Sequence, residues 1–344
     1  MKIVVDETIP FVRGVFEPFA EVAYRDGSEI GRKDLVDADA LVIRTRTICN
    51  AELLEGTAVK IIATASTGMD NIDIPYCKTH SIFLKNADGC NSGGVMNYVF
   101  SALYGCAARK SIPLTGSTFG IVGVGSAGQK VEKMARFLGF KVLLCDPLRA
   151  EEEGDSQFCS LDFLLENSDI VTLHLPLNEG TKRMANADFF RKMRLGAFFI
   201  NAARGELVVE DDLIEAIPKL GPVVIDTWNN EPDINRKLMD MVDIATPHIA
   251  GYSYQGKQIS AMMAVRSVAR FFGISELYEF YPKTDVRELE AVKLDVSGMN
   301  QGQIASLIQY NYPIFTDDFM FRTNPAGFTE LRTNYQYRRE FYID

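Results

Sequence analysis

The chain has 344 residues, 47% of them hydrophobic and 24% charged, with a formal net charge of −10; that balance suits a globular protein with room for roughly two or three cores. The acidic excess argues against general nucleic-acid binding, and apolar runs such as "FGIVGVG" and "VVID" fall far short of the ~18 to 20 residues of a membrane span. Six cysteines (Cys49, Cys77, Cys90, Cys106, Cys145, Cys159) form no C-x-x-C pair and read as reduced thiols of a cytoplasmic protein, while "MKIVVDETIP" reaches Asp6 and Glu7 too early for a secretion signal.

In chain order, "KIVVD" (2–6), "ALVIRT" (40–45) and "KIIATA" (60–65) predict strands, and their continuous apolar character suits a parallel sheet covered on both faces. "GGVMNYVFSALYGCAARK" (93–110) predicts a long helix leaving that unit. A second series follows, with strands expected at 118–123, 141–146, 169–175, 197–203, 222–228 and 243–247. Helices are expected between most of them, at 128–138, 161–167, 186–194 and 210–217. Strict alternation of this kind predicts a doubly wound parallel sheet. From residue 284 the alternation fades and aromatics accumulate. A segment of about 60 such residues would be marginal alone, and is expected to lean on a second copy of the chain.

The segment "GIVGVGSAGQ" places Gly123, Gly125 and Gly128 in G-x-G-x-x-G spacing after a strand and at the start of a helix, with Ser126 and Ala127 inside the turn. The first glycine allows a tight turn, the second lets backbone approach a pyrophosphate, and the third permits close helix–strand packing. The pyrophosphate would rest on the N–H groups of the helix terminus. The next strand ends in Asp146, a carboxylate suited to ribose hydroxyls and repulsive to a 2′-phosphate, so NAD is expected rather than NADP.

Later strands end in Arg204, in Asp226 with Glu231 close behind, and in His248. In an open parallel sheet these carboxyl ends line the ligand crevice. The set suits oxidation of a 2-hydroxy acid: a histidine to exchange the hydroxyl proton, a carboxylate to fix its tautomer, and an arginine to pair with the substrate carboxylate. His174 also ends a strand but has no carboxylate partner in the sequence, and His80 is expected at the surface. No cluster has metal-ligand spacing, so no metal is expected. Arg44 and Arg46, two apart in "LVIRTRT", would project from one strand face and form an anion site, or be a solvated strand end.

Together "GIVGVGSAG", "HLPLNEGT", "FFINAARGELV", "DTWNNEP" and "TPHIAGYS" resemble, in order and spacing, the D-2-hydroxyacid dehydrogenase family. The segments "KIVVDETIPF", "ADALVIRTRT", "TASTGMDNID", "DGCNSGGVMNYVFSAL" and "TELRTNYQYRRE" extend the resemblance over nearly the whole chain, toward members that act on a small phosphorylated hydroxy acid. The resemblance implies an α/β fold of two doubly wound, Rossmann-like lobes plus a small carboxy-terminal α+β unit. Residues 1–92 and 256–283 would bind substrate and close over an NAD-binding domain at 93–255, and 284–344 would form a homodimer. It implies Arg204, Glu231 and His248 as catalytic residues. Cofactor contacts would come from Asp146, Leu175, Ala202, Ala203, Arg204, Asp226 and Gly251, and Thr45, Ser66 and Tyr252 would lie near the substrate phosphate. Asn97 stands where relatives often carry glutamate, Leu175 replaces a threonine, and Asn229 replaces a frequent acid. Arg338 or Arg339 could reach a partner's site across the dimer. Two alternatives stay open: a dehydrogenase of 3-phosphoglycerate or glycerate, and a nicotinamide-sensing binding protein.

Overall fold

The structure, a computed structural model, describes residues 1–283 and 287–343. It divides into two compact units, residues 1–91 with 253–290 and residues 92–252 with 291–344. The boundary expected at 284 lies outside the described residues.

The first unit holds five parallel strands, β1 (Lys2–Asp6), β2 (Glu21–Arg25), β3 (Ala40–Ile43), β4 (Ile61–Thr64) and β5 (Phe83–Asn86), in the order β2-β1-β3-β4-β5. In β1, β3 and β4 alternate residues enter two different cores, which is why the sequence there is apolar without a break. Ile3, Val5, Val42 and Ala63 meet Ala261, Val265 and Val268 of the helix Tyr254–Phe272, while Val4, Leu41, Ile43 and Ile62 meet Leu35, Leu54 and Cys77. That helix is capped by Ser253, whose Oγ accepts from Gly256 N at 3.0 Å, and it ends at Gly273 in the left-handed region.

The second unit holds six parallel strands: β6 (Thr118–Val122), β7 (Lys141–Cys145), β8 (Ile170–Leu173), β9 (Phe198–Asn201), β10 (Val223–Ile225) and β11 (Ile244–Ala245). Their order is β11-β10-β9-β8-β6-β7. The strand order therefore reverses between β6 and β8, and a doubly wound sheet presents its ligand site at the carboxyl ends of such a pair. One face of the sheet carries the helices Ser92–Lys110 and Ser126–Phe137, and the other carries Leu161–Asn167, Ala187–Lys192 and Glu210–Ala216.

Residues 291–344 belong to this second unit. They form the helices Gln301–Asn311, Ile314–Thr323 and Phe328–Thr333 and the short parallel pair β12 (Val292–Lys293) and β13 (Phe341–Tyr342). Within the chain this segment packs on its own unit. Ile308, Tyr312, Ile314 and Phe341 enter the core around Ser92–Lys110, and Phe321 and Phe328 enter the opposite one. Asn97 fastens the seam, donating from Nδ2 to Phe341 O at 2.8 Å and accepting from Phe341 N at 3.0 Å. A glutamate there could only accept, so asparagine suits a strand edge that needs both.

Candidate active site

The nucleotide turn is built as its glycines require. Gly123 has φ +87° directly after β6, and a Cβ there would fall 2.7 Å from His174 O. A Cβ on Gly128 would lie 2.2 Å from Gly123 O, so the third glycine lets the helix Ser126–Phe137 sit against the turn. Gly125, the helix N-cap, faces open space: a Cβ there would meet nothing within 4 Å. Ser126 and Ala127 follow as the first helical residues, and the Leu175 side chain packs against Gly123. Asp146 ends β7, accepting from Val124 N at 2.7 Å through Oδ2 and from Arg149 N at 3.2 Å through Oδ1. The nearby guanidinium of Arg149 is engaged by Glu153 and by Val124 O, so this neighbouring cation is committed within the fold. Beside Asp146 lies a cavity of about 480 Å³ lined by Cys145, Pro147, Ala150, Phe158 and Leu161. A tight turn, an open helix terminus and a carboxylate beside an apolar cavity fit an adenine dinucleotide.

Three loops at the carboxyl edge of the same sheet converge. After β9, Asn201 shapes the turn, its Oδ1 accepting from Ala203 N at 3.1 Å and its Nδ2 donating to Arg204 O at 2.9 Å. Ala202 and Ala203 pass through that turn, and Arg204 Nη1 donates to Ala203 O at 2.8 Å. The next residue, Gly205, is pressed on the following loop: a Cβ would lie 2.0 Å from Trp228 C. That loop is held by Asn229, which donates from N to Glu210 Oε1 at 2.9 Å and from Nδ2 to Val208 O at 3.1 Å. Glu231 closes it, Oε1 accepting from Trp228 N at 3.0 Å.

The third loop carries His248, at φ +58°. Its Nδ1 is 2.8 Å from Glu231 Oε2. Burial alone would raise the Glu231 carboxyl, but the charge and hydrogen bond of His248, the Trp228 N–H and Arg332 hold it below the ordinary value. The ionised carboxylate can only accept, so Nδ1 donates to Glu231, and in the neutral ring Nε2 is the nitrogen left with a lone pair.

Asp226, expected at the cofactor, is fully buried and serves as the brace of this loop. Its Oδ1 accepts from Thr246 Oγ1 at 2.6 Å and Ile249 N at 2.8 Å, and its Oδ2 from Ala250 N at 2.9 Å. Its carbonyl accepts from His248 N at 2.7 Å. Tyr98 OH lies 2.7 Å from Thr246 Oγ1 and extends the network into the long helix. Desolvation raises the pKa of Asp226, against the opposing pull of His248, Thr246 and the two peptide N–H groups.

Gly251 is partly buried, and Gly94 fits so close beneath it that a Cβ would come 3.1 Å from Gly251 C. Tyr252 follows, its ring 6.0 Å from that of Tyr335 and 6.1 Å from that of Tyr337. Arg338 is engaged within its own unit. It is stacked 3.4 Å over the Tyr312 ring, beside Tyr335 and Asp317, and donates from Nη2 to Ala250 O at 3.2 Å. The Ala250 peptide is thus gripped at N–H by Asp226 and at C=O by Arg338. Arg339 Nη2 donates to Asn311 Oδ1 at 3.4 Å. His174 lies against Thr172, Nε2 to Oγ1 at 3.0 Å, and burial lowers its pKa to about 4, so its ring is neutral.

In the first unit β3 ends at Ile43, so Arg44, Thr45 and Arg46 lie in a turn and the expected shared strand face does not form. Arg46 Nη2 is paired with Asp26 Oδ2 at 2.7 Å, and Asp26, bonded chiefly by Ser28 and also by Arg46, has its pKa pulled down to about 2. Arg44 Nη1 reaches Thr8 O at 3.4 Å. Thr45 is exposed, and Ser66, after β4, lies 2.6 Å from Thr64 Oγ1 and donates to Gly68 O at 3.1 Å. His80 is exposed and stacks on Tyr76. Among the described residues no group of three or more His, Cys, Asp or Glu could hold a metal, and no helix is long and apolar enough to cross a membrane.

Sequence reasoning missed Asn201, Thr246 and Tyr98, which bond to other groups of the chain, and Arg332, whose partner is far away in the chain.

A nucleotide turn followed by a histidine–carboxylate pair and an arginine at one sheet edge defines a dinucleotide-dependent dehydrogenase. Residues 104–250 match the family described as D-isomer specific 2-hydroxyacid dehydrogenase, NAD binding domain. The chain is 42% identical to an erythronate-4-phosphate dehydrogenase of Bacteroides thetaiotaomicron, over 99% of this chain and 97% of that one. It is 37% identical to the Escherichia coli protein of the same name, over 99% and 92%. Among solved structures, NAD⁺-bound 3-phosphoglycerate dehydrogenase of Entamoeba histolytica shares the fold with TM-score 0.69 and 26% identity, covering 83% of this chain and 99% of that one. The chain therefore belongs to the NAD-dependent D-2-hydroxyacid dehydrogenases and, within them, to the erythronate-4-phosphate dehydrogenase family.

Proposed function

We propose that the chain oxidises 4-phospho-D-erythronate to (R)-3-hydroxy-2-oxo-4-phosphooxybutanoate, a step in pyridoxine 5′-phosphate formation. The observation that carries this reading is the 2.8 Å pair of Glu231 and His248, in a chain related over its full length to erythronate-4-phosphate dehydrogenases. When bound, NAD supplies the acceptor for the hydride leaving the carbinol carbon. His248 takes the hydroxyl proton at Nε2, the nitrogen that Glu231 leaves free to act. Glu231 steadies the imidazolium so formed, and Arg204 pairs with the substrate carboxylate through its planar fork. Gly123, Gly125, Gly128 and the helix terminus at Ser126 and Ala127 hold the pyrophosphate, and Asp146 takes the ribose hydroxyls. Leu175, Ala202, Ala203 and Gly251 line the cofactor's path, while Asp226 fixes the loop that bears His248. Thr45, Ser66, Arg44 and Tyr252 receive the substrate, Arg44 answering its phosphate while Arg46 is engaged by Asp26.

We also propose a cytoplasmic homodimer, a reading supported by six free thiols and by Tyr310 and Phe319, exposed on consecutive helices of the carboxy-terminal segment. The test is NADH formation from 4-phosphoerythronate, 3-phosphoglycerate and unphosphorylated D-hydroxy acids, with a 2-oxo acid acceptor in parallel. Preference for 4-phosphoerythronate, with turnover lowered roughly 10²- to 10⁴-fold in H248N, is expected. Preference for 3-phosphoglycerate would replace the substrate, and undiminished turnover in H248N would discard the mechanism.

A further inference from the structure

Glu231 is approached from two sides. Its Oε2 lies 2.8 Å from His248 Nδ1 and 3.9 Å from Nη1 of Arg332, a residue of the helix Phe328–Thr333. The guanidinium of Arg332 sits 5.9 Å from the Tyr252 ring centroid and 5.8 Å from that of Phe328. Its Nε is buried without a hydrogen-bond partner. Two aromatic rings and one carboxylate fix the place of the guanidinium.

We propose that Arg332 is a positioning residue of the proton-transfer pair, sharing Glu231 with His248 and so limiting how tightly the carboxylate holds the imidazolium. This inference rests on the reading of His248 as the proton acceptor. With Arg332 in place, the state with neutral His248 is electrically balanced, Glu231 against Arg332. Without it, that state leaves Glu231 as an uncompensated, largely buried anion, and protonation of His248 becomes the way to neutralise it. A base that is already protonated cannot take the substrate's proton, so the arginine keeps the pair competent near neutrality. The other charged groups around the pair are Asp226 beneath the loop, Glu210 on Asn229 N, and Arg338 with Asp317 behind Ala250, 3.8 Å apart. None of these is described on Glu231 Oε2, the oxygen that His248 Nδ1 shares with Arg332.

The chain has only three histidines, so ring-labelled histidine followed by NMR gives three separable titrations in the intact protein, and H248N identifies one of them. Loss of the cation in R332Q is expected to raise the His248 midpoint by about half a pH unit or more. The acidic limb of kcat/KM for 4-phosphoerythronate oxidation should move up with it, and R332K should restore both. R332M, which keeps the stem against the two rings, is the reserve neutral variant if R332Q does not fold. A midpoint in the neutral variant within about 0.2 pH unit of wild type would overturn the proposal. So would an R332K variant displaced as far as R332Q, since packing and not charge would then be the cause. Failure of the underlying reading looks different: H248N would retain turnover, whatever the titration of His248 does.

Discussion

Asp226→Asn probes the brace under His248. The carboxylate accepts three hydrogen bonds in a fully buried position, from Thr246 Oγ1, Ile249 N and Ala250 N. An asparagine keeps one oxygen for two of these donors and turns an NH₂ group toward the third, so the Ala250 N–H and the new amide face each other unsatisfied. Losing a bond to a charged acceptor costs about 1.5–3 kcal/mol, and an orphaned buried donor about 1–3. Removing a charge that desolvation disfavours offsets part of this, leaving a net loss of roughly 2–4 kcal/mol. Trp228 is the only tryptophan, is buried, and donates from Nε1 to Thr246 O at 2.9 Å, so its fluorescence reports on this loop during urea unfolding. Because the His248 N–H hangs from the Asp226 carbonyl, kcat should also fall, by roughly tenfold or more. An unfolding free energy within about 0.5 kcal/mol of wild type, together with unchanged kcat, would refute the argument that this network sets the loop.

The glycine turn separates folding from binding. Gly125→Ala should leave the melting temperature unchanged, since a Cβ there meets nothing, yet weaken NADH in calorimetric titration by roughly tenfold or more, because backbone approach is blocked. Gly128→Ala should lower the melting temperature itself, its Cβ falling 2.2 Å from Gly123 O; equal behaviour of the two variants would contradict the assignment. For His174, burial lowers the pKa from 6.5 to about 4, so its neutral ring contributes stability above pH 6.5 that is lost as pH falls toward 4. His174→Gln should therefore be less acid-sensitive than wild type by up to roughly 3 kcal/mol at pH 4. Parallel loss in both proteins would show that the ring is not the titrating group.

The inner strands were legible because both their faces are buried, and a residue such as Leu41 or Ile62 has no solvent side to make polar. The edge strands were not: "EVAYR" of β2 and "FLKN" of β5 are half exposed, and their mixed composition reads equally well as loop. The ends of strands misled for a related reason. "ALVIRT" reads as six extended residues, but pairing stops at Ile43, so Arg44 and Arg46 turn to Thr8 and Asp26 rather than sharing a face. Gly123, Gly125, Gly128, Glu231 and His248 announced themselves because each answers a local demand: a turn, an approach, a proton. Asp226 was visible as a strand-end acid, but its three donors are backbone and hydroxyl groups that no composition encodes. Arg332 gave no signal at all, since its partner Glu231 is near only in the folded unit.

The seam between Asn97 and Phe341 joins residues 244 positions apart. A ribosome therefore delivers the catalytic loop long before the groups that steady it. At ordinary elongation rates Asn97 waits roughly 12 to 50 s for its strand partner, and through that interval the apolar side of the helix Ser92–Lys110 has no cover from Ile308, Ile314 or Phe341. Until the tail emerges, the unit lacks the contacts that Ile308, Ile314 and Phe341 make to that helix. Activity in a growing chain should come on late, with the arrival of the tail.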